Sequence, residues 1–307
     1  MERRNFIKSS VGAGIATGAA ISFGGIENLM ATNSNAAAPY DLVAIRGGEP
    51  EVMFDKGIES LGGMSQFVKP GQRVLIKPNI GWDRTPDRAA NTNPKLVGRI
   101  VEQCLKAGAK EVLVFDHTCH EWTKCYKNSG IEQAVKDAGG KMVPGDSEKY
   151  YKTVANPKGV VMKEMMVHEL MLNTDVFINV PILKHHSSSK LTIGMKNLMG
   201  CVWDRGYWHK NDLHQCIADF IQYRKPDLTV IDAYNVMKKN GPMGVSLDDV
   251  LSMKSQIISR DIVAADAAAA KFLGKEPTEI NHIKMANAAG MGEMDLSKLN
   301  INRINIA

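Results

Sequence analysis

Lysine, histidine and asparagine side chains follow an apolar stretch in the middle of the chain. Val176–Val180 is typical of a buried strand, and Lys184, His185, Lys196 and Asn197 come soon after it. Two ammonium groups can neutralise a carboxylate or phosphate, while imidazole and amide groups add directional hydrogen bonds. A lysine desolvated beside other cations can also act as a base or an amine nucleophile. We predict that Lys184, His185 and Lys196 are catalytic and that Asn197 binds the ligand; the alternative is that Lys184 is a solvated loop charge.

Two further apolar runs also end in polar residues. VLIKPN places Lys77 and Asn79 after one predicted strand, and VLVFD places Asp116 after another. Because ligands of open α/β sheets bind at the carboxyl ends of the strands, we predict that Lys77 and Asn79 bind the ligand and that Asp116 is catalytic. The alternatives are a plain turn at residues 77–79 and a helix-capping role for Asp116.

A glycine loop and a His/Cys cluster are weaker candidates. The backbone amides of Gly241 and Gly244 could cradle an anion, although Gly-Pro turns are common. His117, Cys119 and His120 are candidate ligands of a transition metal, but their spacing matches no standard zinc pattern. The alternative is that these three are hydrogen-bonded loop residues. The cofactor is left open between a metal and an organic molecule.

Short β-rich runs alternate with longer amphipathic segments, which predicts an α/β fold with a mostly parallel sheet flanked by helices. We expect residues 39–307 to form a single α/β domain, with a small β-rich insertion near residues 147–172. The expected strands are Leu42 to Ile45, Arg73 to Ile76, Glu111 to Phe115, Lys141 to Val143, Val176 to Val180, Leu228 to Ile231 and Gln256 to Ser259, and the clearest helices are Pro94 to Ala107 and Ile262 to Leu273. Four strands with polar ends, including the one before Asp232, suggest a shared crevice.

Residues 1–38 have the pattern of a twin-arginine export signal. Arg3 and Arg4 precede a Gly/Ala-rich apolar stretch, and small residues at 36–38 fit a cleavage site. The alternative is a retained membrane anchor. We expect the translocase to be a partner during export, the periplasm or exterior of the cell envelope to be the location, and the mature chain to have no stable membrane span. This route carries folded proteins, often with a cofactor already loaded.

Charge and cysteine content exclude several classes of protein. The net charge of +5 falls to +4 when residues 1–38 are removed, which does not argue for nucleic-acid binding. The five cysteines are too few and too irregularly spaced for a disulfide framework. P-loop, GxGxxG, GxSxG and HExxH patterns are absent from the sequence, so the corresponding enzyme classes have no local support.

Several motifs together resemble the Domain of Unknown Function 362 family (DUF362). They are VLIKPN, NTNPKLV, AGAKEVLVFD, INVPILKHH, GMKNLMGCV and DIVAADAAAAKFLG, in this order between residues 74 and 274. The resemblance implies no particular activity. Some relatives carry a ferredoxin-like cysteine cluster, but this chain lacks a CxxCxxC run, which argues against an iron–sulfur cluster of that type. A redox role would then require another cofactor or a redox partner.

Two functions remain open at this point. The first is an exported enzyme of oxidoreductase or isomerase type that binds a small anionic substrate or cofactor at the strand ends. The second is a non-catalytic periplasmic binding or accessory protein that carries a metal or cofactor for a redox partner. A third, simpler interpretation is that the polar strand ends are structural and that function lies at a protein interface.

Overall fold

The computed structural model describes residues 39–307. The predicted twin-arginine signal lies outside the described residues, so it stays a prediction. Within residues 39–307, no helix combines the length and the apolar character that a membrane crossing requires.

Ten strands form one mixed sheet, and two more form a separate hairpin. The strand order along the main path is β12-β1-β11-β10-β7-β2-β3-β4, with β8 and β9 attached beside β10. The strands are β1 (Leu42–Arg46), β2 (Arg73–Pro78), β3 (Glu111–Val114), β4 (Lys141–Met142), β5 (Tyr151–Ala155), β6 (Glu164–His168), β7 (Val176–Val180), β8 (Ile182–His186), β9 (Lys190–Thr192), β10 (Leu228–Met237), β11 (Val250–Ser259) and β12 (Ile301–Asn305).

Helices cover both faces of this sheet. The helices of the described part of the chain are α1 (Pro50–Ser60), α2 (Pro94–Lys106), α3 (Trp122–Asn128), α4 (Ile131–Asp137), α5 (Leu170–Asn173), α6 (Gly194–Asn197), α7 (Arg205–Lys210), α8 (Leu213–Tyr223), α9 (Ile262–Phe272) and α10 (Asn281–Ala288). The predicted α/β class, with a mostly parallel sheet flanked by helices, is confirmed.

Strand β2 lies in the middle of the parallel part and is buried on both faces. It pairs in parallel with β3 on one side and β7 on the other. Successive side chains of a strand point to opposite faces, so Val74 and Ile76 pack in the core beneath α1 and α2, while Leu75 packs in the core with α8 and α9. Lys77 has the parity of Leu75 and therefore lies on the second face.

The predicted β-rich insertion is present as the antiparallel hairpin β5–β6. Asp219 on α8 fixes it to the body of the protein. Its carboxylate accepts hydrogen bonds from the amides of Val161 and Met162 at 2.7 and 2.8 Å, and its carbonyl accepts one from Asn156 Nδ2 at 3.0 Å. These bonds satisfy backbone groups that the short hairpin would otherwise leave unpaired.

The sheet continues beyond the predicted strand at Val176–Val180. After Pro181 the chain enters β8, which pairs in parallel with β10 and antiparallel with β9. The interpretation of Lys184 as a solvated loop charge is therefore wrong, because its side chain is 0% exposed. Strands β8, β9 and β12 were not expected, and β10 and β11 are longer than expected.

Candidate functional site

A cavity of about 440 Å³ opens at the carboxyl ends of β2 and β3, beside β8 and α6. This is the location that ligands of open α/β sheets occupy. Six of the predicted catalytic and binding residues line the cavity: Lys77, Asn79, Asp116, Lys184, Lys196 and Asn197. The side chains that the sequence analysis expected to meet at the strand ends do lie together.

Lys77 and Asp116 form a buried ion pair on the floor of the cavity. Lys77 Nζ lies 2.7 Å from Asp116 Oδ1, and the two side chains are 1% and 3% exposed. Asp116 Oδ2 accepts a hydrogen bond from the Ile80 amide at 2.7 Å, so the carboxylate also fixes the loop after β2. Gly200 lies directly against this pair, since a Cβ atom there would be 2.0 Å from Asp116 Oδ1. Only glycine leaves room for the ion pair.

Asn197 joins the floor of the cavity to the strands beneath it. Its Oδ1 accepts hydrogen bonds from Lys77 Nζ at 3.1 Å and from Asn79 Nδ2 at 3.0 Å. Its Nδ2 donates to Lys77 O at 3.1 Å and to Asn179 Oδ1 at 2.9 Å. A primary amide has two donor hydrogens and two acceptor lone pairs, so every hydrogen-bonding position of this side chain is used. Asn197 therefore orients its neighbours and has no free donor for a ligand.

Lys184 projects from β8 and is fully buried. Its Nζ donates to Ala90 O and, at 3.2 Å, to Asn79 Oδ1. No carboxylate of residues 39–307 forms an ion pair with it. Burial, together with the charges of Lys196 and Lys77, lowers the pKa of the Lys184 ammonium to about 7. An amine with this pKa is largely neutral just above pH 7 and can accept a proton.

Lys196 is held in the cavity wall by α6. The start of this short helix is fixed by Asp266 on α9, whose carboxylate accepts from the amides of Gly194 and Met195 at 2.6 and 3.0 Å. The Lys196 side chain is 7% exposed, and its Nζ donates to the thioether sulfur of Met199 at 2.8 Å. Burial lowers the pKa of Lys196 to about 8.

His185, which we predict to be catalytic, does not line the cavity, whereas its neighbour His186 does. Side chains two apart on a strand share a face, so Lys184 and His186 point one way and His185 points the other. His185 Nδ1 accepts from the Gly241 amide at 3.2 Å. His186 Nδ1 accepts from backbone amides of the turn before β9, and burial lowers the pKa of its ring to about 3.

Gly241 and Gly244 do not form an anion cradle. The Gly241 amide is donated to His185, and the Gly244 amide is donated to Asn240 O at 3.1 Å. From this loop, Pro242 lines the cavity, but the two glycines do not. Gly241 is required for packing, because a Cβ atom there would be 1.8 Å from His185 O.

The three candidate metal ligands do not converge on one point. His117 stacks on Trp203 with ring centroids 5.0 Å apart, and its Nδ1 lies 3.0 Å from Val202 O. His120 packs edge-on against the Trp82 ring, while Cys119 lines the cavity. Within residues 39–307, no group of three or more His, Cys, Asp and Glu side chains is arranged to hold a metal ion.

The motif order found in the sequence agrees with a direct family match. A model of the family described as Domain of unknown function (DUF362) matches residues 74–271, which is more than half of the chain. The chain belongs to the DUF362 family. The matched region contains all six predicted catalytic and binding residues that line the cavity.

Two similar proteins place this DUF362 chain among known sequences and structures. The thylakoid-associated protein sll1697 of Synechocystis sp. is 27% identical over 238 residues, which are 73% of this chain and 70% of that protein. The lactate racemase apoprotein from Thermoanaerobacterium thermosaccharolyticum aligns with 81% of this chain at 11% identity and a TM-score of 0.45. This chain covers 57% of the length of that structure's chain.

Arg205 is a cavity residue of this DUF362 protein that the sequence analysis missed. It begins α7 and donates to the carbonyls of His117 and Thr118 at 2.9 and 2.7 Å and to Cys119 Sγ at 3.1 Å. It therefore fixes the loop after β3 and adds a positive charge to the cavity. The only available signal was a lone arginine between Asp204 and Gly206, which is too common to be informative.

The cavity of this DUF362 protein is strongly cationic. Lys77, Lys184, Lys196 and Arg205 line it, and Asp116 is the only carboxylate of the described residues that does so. Asp232, at the end of a fourth predicted strand, does not line the cavity; it accepts from the Asn93 amide at 2.7 Å and supports the neighbouring loop. Buried ammonium groups without carboxylate partners are costly unless another group balances their charge or they release their proton.

Proposed function

We propose that this protein is an enzyme of isomerase type that binds a small anionic substrate in the cavity and uses Lys184 to move a proton. The observation that carries the proposal is the position of Lys184 Nζ. It lies in the cavity wall, fully buried and without a carboxylate partner among the described residues, and its pKa is lowered to about 7. These are the properties of a lysine that serves as a general base near neutral pH.

The other side chains would divide the remaining tasks. Lys196 and Arg205 would attract the anionic group of the substrate and stabilise the negative charge that develops when a proton leaves carbon. Asn79 Oδ1 accepts a hydrogen bond from Lys184 Nζ and thereby orients the amine. Return of the proton from the Lys184 ammonium to carbon would complete the isomerisation.

Proton exchange with solvent tests this proposal directly. The full chain would be incubated in D2O with small carboxylates that carry a C–H bond next to a carbonyl or carboxylate, and deuterium incorporation would be followed by NMR. We expect at least one compound to exchange, and Lys184→Met to slow the exchange by about 100-fold or more. The matched control is Lys190→Met, since Lys190 is exposed on β9 and its Nζ donates to Glu279 O.

A binding protein is the second candidate, and the same experiment separates it from the first. The filled hydrogen-bonding positions of Asn197 and the buried Lys77–Asp116 pair would suit a rigid receptor for an anionic cofactor as well as an active site. Stoichiometric anion binding without exchange of any compound would favour the carrier. Equal exchange rates in wild type and Lys184→Met would refute the assigned base.

We also propose export to the periplasm or the exterior of the cell envelope. The support is the Arg3-Arg4 sequence followed by a Gly/Ala-rich stretch. Fractionation of cells that express the full chain, with an Arg3→Lys/Arg4→Lys variant as control, tests it. Retention of the wild-type chain in the cytoplasm would refute the assignment.

A further inference from the structure

Lys196 has fewer hydrogen-bond partners than the other lysines of the cavity. An ammonium group has three donor hydrogens, and the Met199 thioether to which Lys196 Nζ donates is a weak acceptor. Lys77 Nζ, in contrast, contacts Asp116 Oδ1, Asn197 Oδ1 and Pro78 O, and Lys184 Nζ contacts two oxygen acceptors. Lys196 is buried, at 7% exposed, and lines the cavity. No oxygen atom of the described residues accepts a hydrogen bond from its Nζ.

A second uncompensated cation lies in the same cavity. Arg205 donates to two backbone carbonyls and one thiol, and none of residues 39–307 forms an ion pair with it through a carboxylate. Its charge acts on Lys196, because Arg205 is one of the groups that lower the Lys196 pKa. The charge of Lys77 is already balanced by Asp116. When Lys184 is the neutral base, Lys196 and Arg205 leave two positive charges to be balanced.

We propose that the ligand of this cavity is a dianion, and that one of its anionic oxygens supplies the acceptor that Lys196 lacks. This inference rests on the proposed function, because it concerns the same cavity, and it adds the substrate class. Two positive charges on buried or half-buried side chains of a cavity of about 440 Å³ favour a second negative charge on the ligand over an uncharged group of the same size. Hydroxyl groups of Ser187, Ser188 and Thr192 also line the cavity and can donate to the same anionic group. A dicarboxylate and a phosphate monoester share this chemistry.

Binding measurements on the full chain test the inference without knowledge of the natural substrate. Isothermal titration calorimetry at pH 7.5 would compare succinate with succinamate, which replaces one carboxylate by a neutral amide of similar size. Glycerol 3-phosphate would distinguish a phosphate-binding cavity from one for dicarboxylates. We expect at least one dianion to bind about tenfold or more tightly than succinamate.

Substitution of Lys196 tests whether this residue causes the preference for a dianion over succinamate. In Lys196→Met, we expect the affinity for the preferred dianion to fall about tenfold or more and its preference over succinamate to shrink. Lys190→Met removes an exposed lysine two residues before Thr192 of the cavity and should keep the wild-type preference. A wild-type chain that binds succinamate as tightly as both dianions overturns the inference even if the variant fails to fold. So does a folded Lys196→Met protein that keeps the full preference.

The binding test of the dianion inference and the proton-exchange test of the proposed function can fail independently. Loss of proton exchange in Lys184→Met, together with equal affinity for mono- and dianions, would retain the base and reject the dianion. A clear dianion preference without any proton exchange would retain the dianion inference and assign the cavity to a carrier.

Discussion

Replacement of Lys184 by methionine should change how the stability of the protein depends on pH. In the folded protein the pKa of Lys184 is lowered to about 7 from an ordinary value of 10.5. Between these values the unfolded chain holds a proton that the folded chain has released, so unfolding takes up a proton and becomes harder as the pH rises. Each pH unit contributes about 1.4 kcal/mol. From pH 7 to pH 9, Lys184 should therefore add roughly 3 kcal/mol to the free energy of unfolding.

Below pH 7 this contribution is absent, because both states hold the proton and the folded state pays the cost of a buried ammonium. Methionine has a similar volume and does not titrate. Urea unfolding at pH 6, 7, 8 and 9, followed by tryptophan fluorescence, would give the difference in unfolding free energy between wild type and Lys184→Met. We expect the difference to shift by roughly 3 kcal/mol in favour of wild type over this range. Parallel curves would show that Lys184 does not titrate there, and the assigned base would fail.

Three further predictions follow from the cavity and the hairpin. Gly200→Ala should lower the free energy of unfolding by about 2 to 4 kcal/mol and weaken anion binding, because the new Cβ would displace the Lys77–Asp116 pair; urea unfolding and calorimetry measure both. Anion affinity should fall at least tenfold from pH 6 to pH 9, since the two cavity lysines with pKa values of about 7 and 8 lose their charge; a flat calorimetric profile would contradict this. Asp219→Ala should loosen the hairpin at residues 151–168 by releasing two backbone amides, and hydrogen exchange there should rise while the strands of the main sheet stay protected.

The sequence was informative where a single strand and the residue at its end determine the position of a site residue. VLIKPN and VLVFD each combine a buried strand with one polar residue at its end, and parallel pairing of β2 and β3 brings Lys77 and Asp116 together. Such a prediction needs only the strand direction and the rule that ligands bind at carboxyl ends. The same reasoning explains why Lys184 and Lys196 were expected in the cavity.

The sequence was misleading where the sheet continues beyond the predicted end of a strand. The predicted strand ends at Val180, but β8 begins at Ile182, and its two-residue alternation puts His186 in the cavity and His185 outside. Arg205 was missed because its position depends on how α7 packs over the loop after β3. Packing between elements that are distant in the sequence leaves no pattern in the local sequence. The glycine loop was misinterpreted because its amides already donate to protein groups, Gly241 to His185 Nδ1 and Gly244 to Asn240 O.

Asp266 links the cavity to the helical layer behind the sheet. Its carboxylate holds the two amides that begin α6, and a Cβ atom on Gly194 would lie 2.6 Å from it. A shift of the alanine-rich helix α9 would consequently move the backbone that carries Lys196 through these two hydrogen bonds. Substitutions in α9, outside the cavity, should therefore change the affinity of the cavity for its ligand. Directed evolution for ligand affinity should find variants in α9 as well as among the residues that line the cavity.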